Sequence, residues 1–136
     1  SDLSNDALDV FAANSGDILG ATLPFVQSDL LDAVEGTYDL ITANPPYLTS
    51  AQVGRMKADG WLEPLMALDG GDDGLALYQR LIPDAARQLT ADGFVLLEAD
   101  PDQMGALGKM LQQNAFRNVI IHKDLGGRDR VIQGQR

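Results

Sequence analysis

The sequence predicts an α/β fold: a largely parallel sheet with helices on both faces. Three observations carry this. Short strand-like apolar runs alternate with helix-like stretches along the chain. One run, Phe94 to Ala99, is almost continuously apolar, as strands covered on both faces are. The chain closes with two strand-like runs in succession, Val119–Lys123 and Arg130–Gln133. At 136 residues it fits a single domain able to bury about two thirds of its unfolded surface.

Each element has a local signature. Ser4 is a suitable N-cap for a helix through about Asn14, with Leu8, Phe11 and Ala12 on one face and Gly16 as its stop. Leu23 to Gln27 reads as a short strand, followed by Ser28-Asp29. Residues 39–44 form the next strand, inside the run Tyr38-Asp39-Leu40-Ile41-Thr42-Ala43-Asn44. The polar stretch Thr49–Gly60 is a surface loop or short helix. Asp72 or Asp73 then caps a helix running to about Leu89, which the ring of Pro83 is expected to bend or split. After the Phe94–Ala99 strand, Gln103–Asn114 is an amphipathic helix. No internal repeat or low-complexity linker interrupts the series.

Composition excludes several classes of chemistry. No apolar run approaches the ~18 residues of a spanning helix, so no membrane partner is expected. There are no cysteines, which rules out disulfides and thiolate metal sites and fits a cytoplasmic protein. The single histidine, His122, cannot build a zinc site or a triad alone and sits in a strand-like run. Metal is therefore not expected. Net charge is −10, which repels phosphate backbones and argues against a direct nucleic-acid partner.

The most informative residues are Asn44-Pro45-Pro46-Tyr47. Two prolines in series lack N–H groups and have fixed φ, so the chain leaves the strand end as a stiff corner with bare carbonyls. With the Asn side chain they form a cluster of acceptors at the carboxyl edge of a sheet, where open α/β folds place ligands. Such a cluster suits a planar NH2 group: two acceptors take its protons and the nitrogen lone pair faces outward. Tyr47 offers a flat face and a hydroxyl to hold that group in plane. The competing reading is a strand ending in a Pro-Pro turn with no chemistry.

Asn44-Pro45-Pro46-Tyr47 resembles motif IV of the S-adenosylmethionine-dependent amino-methyltransferases. The rest of the chain resembles the release-factor glutamine N5-methyltransferases, the HemK/PrmC type, almost from end to end. The matching residues are Asp2-Leu3-Ser4 with Ala7-Leu8 and Asn14, Gln27-Ser28-Asp29-Leu30-Leu31, and Glu63-Pro64. They continue through Ala67-Leu68, Gly70-Gly71, Asp73-Gly74-Leu75 with Tyr78, and Asp124-Leu125-Gly126-Gly127-Arg128-Asp129-Arg130-Val131. The tetrapeptide alone names a chemistry; the other stretches narrow it to the glutamine type. The resemblance implies a Rossmann-like class I methyltransferase sheet, with S-adenosylmethionine as co-substrate and a peptide release factor as protein substrate.

By the same resemblance Asn44, Pro45, Pro46 and Tyr47 are the catalytic and substrate-binding residues. Asn44 also borders the cofactor, and Glu63 helps to wall the glutamine pocket. Asp2 is expected at the ribose hydroxyls and Asp29 at the adenine amino group, with Leu30 on the ring face. The plain alternatives are a helix-start carboxylate for Asp2, a turn residue for Asp29 and a core residue for Leu30. The carboxylates from Asp69 to Asp73 lack calcium-loop spacing and read as a solvated loop. Arg128, Asp129 and Arg130 read as a structural ion-pair hairpin.

Two departures from the family pattern stand out. Asp100 occupies the glycine position of a Glu-Ile-Gly sequence, here Glu98-Ala99-Asp100. No Gly-rich strand–turn precedes Asp2, so residues 1–136 are expected to be the carboxyl-terminal portion of one catalytic domain, incomplete at the N-terminus and weak in cofactor binding alone. Two other functions compete: a nucleic-acid amino-methyltransferase acting on adenine N6 or guanine N2, and a non-catalytic Rossmann-like scaffold.

Overall fold

The computed structural model describes residues 1–62 and 64–136, in two compact units, Ser1–Gly36 and Thr37–Arg136. In the first unit, helix α1 spans Asn5–Leu19. Ser4 caps it, its hydroxyl accepting the Ala7 N–H at 3.3 Å, which satisfies one of the donors a helix start leaves orphaned. The helix runs past the stop expected at Gly16. A glycine weakens a helix interior by about 1 kcal/mol but does not by itself end it. Termination comes at Gly20, where a left-handed backbone (φ 70°) closes the last turn by a 3.0 Å bond to the Gly16 carbonyl. Leu8 is buried, while Phe11 stays partly exposed and meets Phe25 edge-on at 5.9 Å.

The strand expected over Leu23–Gln27 is reduced to one parallel bridge between Asp2 and Gln27. Its neighbour, residues 1–3, is too short to build a ladder. Two backbone bonds, Ser28 N–H to Asp2 O (2.9 Å) and Asp2 N–H to Val26 O (3.4 Å), join the two stretches, with Gln27 Nε2–H donating to Leu3 O at 3.0 Å.

The second unit is a four-stranded sheet: β1 (Tyr38–Ala43), β2 (Leu89–Glu98), β3 (Arg117–Lys123) and β4 (Asp129–Gln135), in the order β1-β2-β4-β3. β1 and β2 pair parallel; β4 pairs antiparallel with both β2 and β3. Three strands thus share one direction, as a largely parallel sheet requires. The hairpin that returns the chain from β3 inserts β4 against that direction, so only one pairing in this sheet is parallel.

Helices α2 (Ser50–Ala58), α3 (Ala76–Gln88) and α4 (Met104–Gln113) complete the unit. Thr49 and Gln52 form a reciprocal capping box at the start of α2. Helix α3 is neither capped by an Asp at its N-cap nor split by proline. Its N-cap is Leu75, and Asp73 instead accepts the Leu75 N–H at 2.9 Å. Pro83 removes one N–H from the ladder, which otherwise runs on to the Leu89 N–H on Ala85 O.

Helices α3 and α4 touch each other and the sheet. They bury Tyr78, Leu81, Ile82, Leu107 and Leu111 with Val95, Leu97 and Ile132. Burial along β2 alternates, with Val95 and Leu97 enclosed and Phe94, Leu96 and Glu98 half-buried. Within this unit α3 and α4 cover the face that carries Val95 and Leu97, and Leu40 on β1 remains 53% exposed. No helix among the described residues is long and apolar enough to cross a membrane.

Candidate active site

β1 stops at Ala43 because the residues after it cannot extend a ladder. Pro45 and Pro46 have no N–H, and Asn44, preceding a proline, is held out of helical conformation. The corner leaves the carboxyl end of β1, where Ala43 pairs with Leu97 and the next residue of β2, Glu98, pairs with Val131 of β4. Asn44 is exposed, Pro45 is buried, and Pro46 and Tyr47 are half-buried. Thr42, Ala43, Asn44, Leu96, Glu98 and Val131 line an open depression of about 280 Å³.

Hydrogen bonding divides this corner in two. Among the described residues, no donor reaches the Asn44 carboxamide or the main-chain carbonyls of Asn44 and Pro45. Of the next two carbonyls, only that of Tyr47 accepts a hydrogen bond among the described residues. A Cβ on Gly70 would lie 2.7 Å from Pro46 O, and Tyr47 O accepts Gln103 Nε2–H at 2.9 Å. Beyond Tyr47 the chain is laced to residues 68–71. Leu48 N–H donates to Leu68 O (3.0 Å), Gly70 N–H to Leu48 O (2.8 Å) and Ser50 N–H to Gly71 O (2.9 Å).

The loop from Asp69 to Gly74 packs directly on this corner. A Cβ on Gly74 (φ 72°) would lie 2.3 Å from Tyr47 O and 2.4 Å from Gln103 Nε2, so only glycine fits this approach. Asp69 Oδ1 accepts Ser50 Oγ–H at 2.8 Å and Gly71 N–H at 2.9 Å, so this carboxylate serves a turn. Tyr78, fully buried, donates its hydroxyl to the Glu98 carbonyl at the end of β2. Burial, then the neighbouring Tyr47 and Glu98, push its phenol well above the ordinary value, which keeps it a donor at neutral pH.

Asp2, Asp29 and Leu30 lie in the first unit. Residues 1–3 and 26–28 run side by side in one direction, so Asp2 and Asp29 leave the same end of that pair. Asp2 Oδ1 accepts the Ser4 N–H at 2.8 Å, and among the described residues no donor reaches Oδ2. Asp29 and Leu30 are half-buried, Leu30 with a left-handed backbone (φ 54°) rare for a bulky residue. Glu63 lies outside the described residues. His122 is an exposed β3 residue whose Nε2 faces Gln133 Oε1 at 3.1 Å.

Sequence reasoning assigned Tyr78 no role and read Gln103 only as a helix start. Gln103 had a legible signal: Asp100-Pro101-Asp102-Gln103 has capping-box spacing. In the structure Asp100 accepts the Asp102 N–H at 3.0 Å, and Gln103 Oε1 accepts the Asp100 N–H at 3.2 Å. Asp100 has an ordinary φ of −67°, so this turn does not need the glycine of the family pattern.

No family model matches the chain. Individual proteins do. It is 36% identical over 134 residues to the release factor glutamine methyltransferase of Lactococcus lactis subsp. lactis, covering 97% of this chain and 49% of that protein. To the protein of that name from Moorella thermoacetica it is 38% identical over 138 residues, covering 99% and 49%. By sequence the chain is a relative of the release factor glutamine methyltransferases. It spans about half the length of these curated relatives, matching their carboxyl-terminal part. The ribosomal protein uL3 glutamine methyltransferase of Neisseria gonorrhoeae is 39% identical over 98 residues, 71% of this chain and 33% of that protein.

Among solved structures, a methyltransferase from Pyrococcus furiosus matches with a TM-score of 0.68 at 15% identity, covering 98% of this chain and 60% of that one. A ribosomal protein L11 methylase from Lactobacillus delbrueckii subsp. bulgaricus matches at 0.62 and 19%, covering 98% and 53%. At these identities the likeness establishes the fold alone, a Rossmann-like α/β sheet.

Proposed function

We propose that the protein carrying this chain methylates the side-chain nitrogen of a protein glutamine, with S-adenosylmethionine as methyl donor. One observation supports the chemistry above the others: three acceptors at Asn44 and Pro45 have no donor from the described residues, on a corner that supplies no N–H at Pro45 or Pro46. The names of the curated relatives support a glutamine as the group that arrives there.

An amide nitrogen is a poor nucleophile because its lone pair is delocalised into the carbonyl. Asn44 Oδ1 and the Pro45 carbonyl would each accept one of its N–H protons, returning electron density to nitrogen and aiming it. Tyr47 would hold the amide plane. Fixing reactants in this way is worth roughly 7–11 kcal/mol of a barrier. When bound, S-adenosylmethionine supplies an electrophilic methyl group on a sulfonium. As the C–N bond formed, the sulfonium's S–CH3 bond would break and the neutral thioether would leave; the methylated nitrogen would become more acidic and lose one proton to solvent, so Asn44 need not act as a base. The donor fits the residues present: Asp2 keeps one carboxylate oxygen open for a ribose diol, and Asp29 leaves the same chain end.

The finer reading is a glutamine of a peptide release factor, as the Lactococcus and Moorella proteins are named for. The Neisseria relative favours a second substrate, a ribosomal protein. The net charge of −10 supports neither ribosomal RNA nor DNA as the acceptor. The test offers isotopically labelled donor with release factor, uL3 and stripped ribosomal RNA in parallel, to the protein at its native length. Label on a release-factor glutamine is the expected outcome. Label on a nucleobase, or on no glutamine at all, would refute the assignment.

A further inference from the structure

Gln103 is a buried polar side chain, 9% exposed, that the chemistry above does not use. Its amide is nevertheless fully engaged. Nε2–H donates to Tyr47 O at 2.9 Å and to Gly74 O at 3.2 Å, while Oε1 accepts the Asp100 N–H at 3.2 Å. Three chain segments therefore meet on one side chain: the Asn44–Tyr47 corner, the Asp69–Gly74 loop and the turn after β2. Among side chains, only an amide offers two donors and an acceptor from one planar head of this reach.

The consequence falls on the corner. The Tyr47–Leu48 peptide plane is fixed at both ends, its carbonyl by Gln103 and its N–H by Leu68 O at 3.0 Å. Pro45 and Pro46 already have fixed φ. Gly74 closes the remaining space, since any Cβ there would collide with both Tyr47 O and Gln103 Nε2. We infer that Gln103 is a positioning residue. Acting through the Tyr47 carbonyl, it fixes the direction in which the Asn44 and Pro45 acceptors face. This rests on the reading of that corner as the site that holds the glutamine amide.

The test compares Gln103→Leu and Gln103→Glu with wild type in the protein at its native length. Folded fraction is measured by circular dichroism, and S-adenosylmethionine affinity by calorimetry without substrate. Misaligned reactants lose up to about 100-fold in rate. At pH 8, turnover per folded molecule should fall between about 10- and 100-fold in both variants, with donor affinity held within about twofold. Gln103→Glu should regain turnover as pH falls. Burial against two carbonyls raises the new carboxyl's pKa, and its protonated form restores one donor. Unchanged turnover per folded molecule in both variants overturns the inference.

If neither variant folds, the wild type decides. Gln103 side-chain NH2 protons that resist solvent exchange by NMR support the clamp, and protons exchanging at the rate of a free amide overturn it. Wild-type protein that methylates no glutamine removes the underlying reading and this inference with it, and that outcome needs no variant to recognise.

Discussion

Two corners of the second unit carry family-like sequence, and they use their polar groups in opposite ways. At the β3–β4 hairpin the charged side chains close on one another and on the backbone of the turn. The Asp124 carboxylate accepts Gly126 N–H (2.8 Å), Arg128 N–H (3.0 Å) and Arg128 Nε–H (3.2 Å), with Arg130 Nε at 3.7 Å, while Lys123 pairs with Asp129 at 2.6 Å. At the β1 corner the oxygens of Asn44 and Pro45 face no donor among the described residues, while the Tyr47 carbonyl and the chain beyond it are hydrogen-bonded to Gln103 and to residues 68–71. A structural corner is closed on itself. A corner built to bind is rigid in its frame and open in its acceptors.

The contrast is broken most directly at Asn44. In the protein at its native length, Asn44→Ala should lower kcat on the order of 100- to 1000-fold, the size of effect seen when one prepositioned electrostatic contact is removed from an active site. Donor affinity should change little. Near-normal turnover would show that the open acceptors have no catalytic use.

Next in size is the frame. Gly74→Ala forces a side chain into a left-handed backbone and against Tyr47 O. The conformation alone should cost about 1–3 kcal/mol of stability, visible as a lowered Tm in thermal unfolding. An unchanged Tm would mean that the Gly74 loop is free to move away from the corner. Tyr78→Phe tests the frame at the neighbouring strand end. Removing the hydroxyl leaves the Glu98 carbonyl short of its buried donor, which should cost about 1–3 kcal/mol in chemical denaturation.

The smallest effect belongs to the closed corner. The Arg128 N–H that it accepts, followed by the Arg128 guanidinium, holds the Asp124 carboxyl below its usual range. A lowered folded-state pKa means that the unfolded chain binds the extra proton. The stabilisation is therefore full above the unfolded value of about 3.9 and disappears as pH falls through the folded one. Asp124→Asn should unfold slightly more easily than wild type at pH 7, and the gap should close in strong acid. Glutamine methylation should be unaffected, and a large loss would move the hairpin into the site.

The range of the forces involved decides which features the sequence disclosed and which it hid. The β1 corner was legible because an apolar run meeting two prolines determines its outcome locally. The Ser4 cap is local in the same sense. Gly16 misled because the φ of a glycine is set by the groups that pack on it, and the left-handed turn fell to Gly20. Pro83 does not split its helix because tertiary burial of Leu81, Ile82 and Ala85 outweighs one missing hydrogen bond. The clamp at Gln103 was hidden because it joins residues 47, 74 and 103, which no window of sequence contains. The bridge of Asp2 with Gln27, in place of a strand, likewise depends on a partner of only a few residues.

The open acceptors of the β1 corner are tested most directly by mass spectrometry of a release factor incubated with S-adenosylmethionine and this protein at its native length, wild type beside Asn44→Ala. One added methyl on a glutamine side-chain nitrogen is predicted with wild type, and almost none with the variant under the same conditions. Equal methylation by both proteins would contradict the catalytic role of that corner.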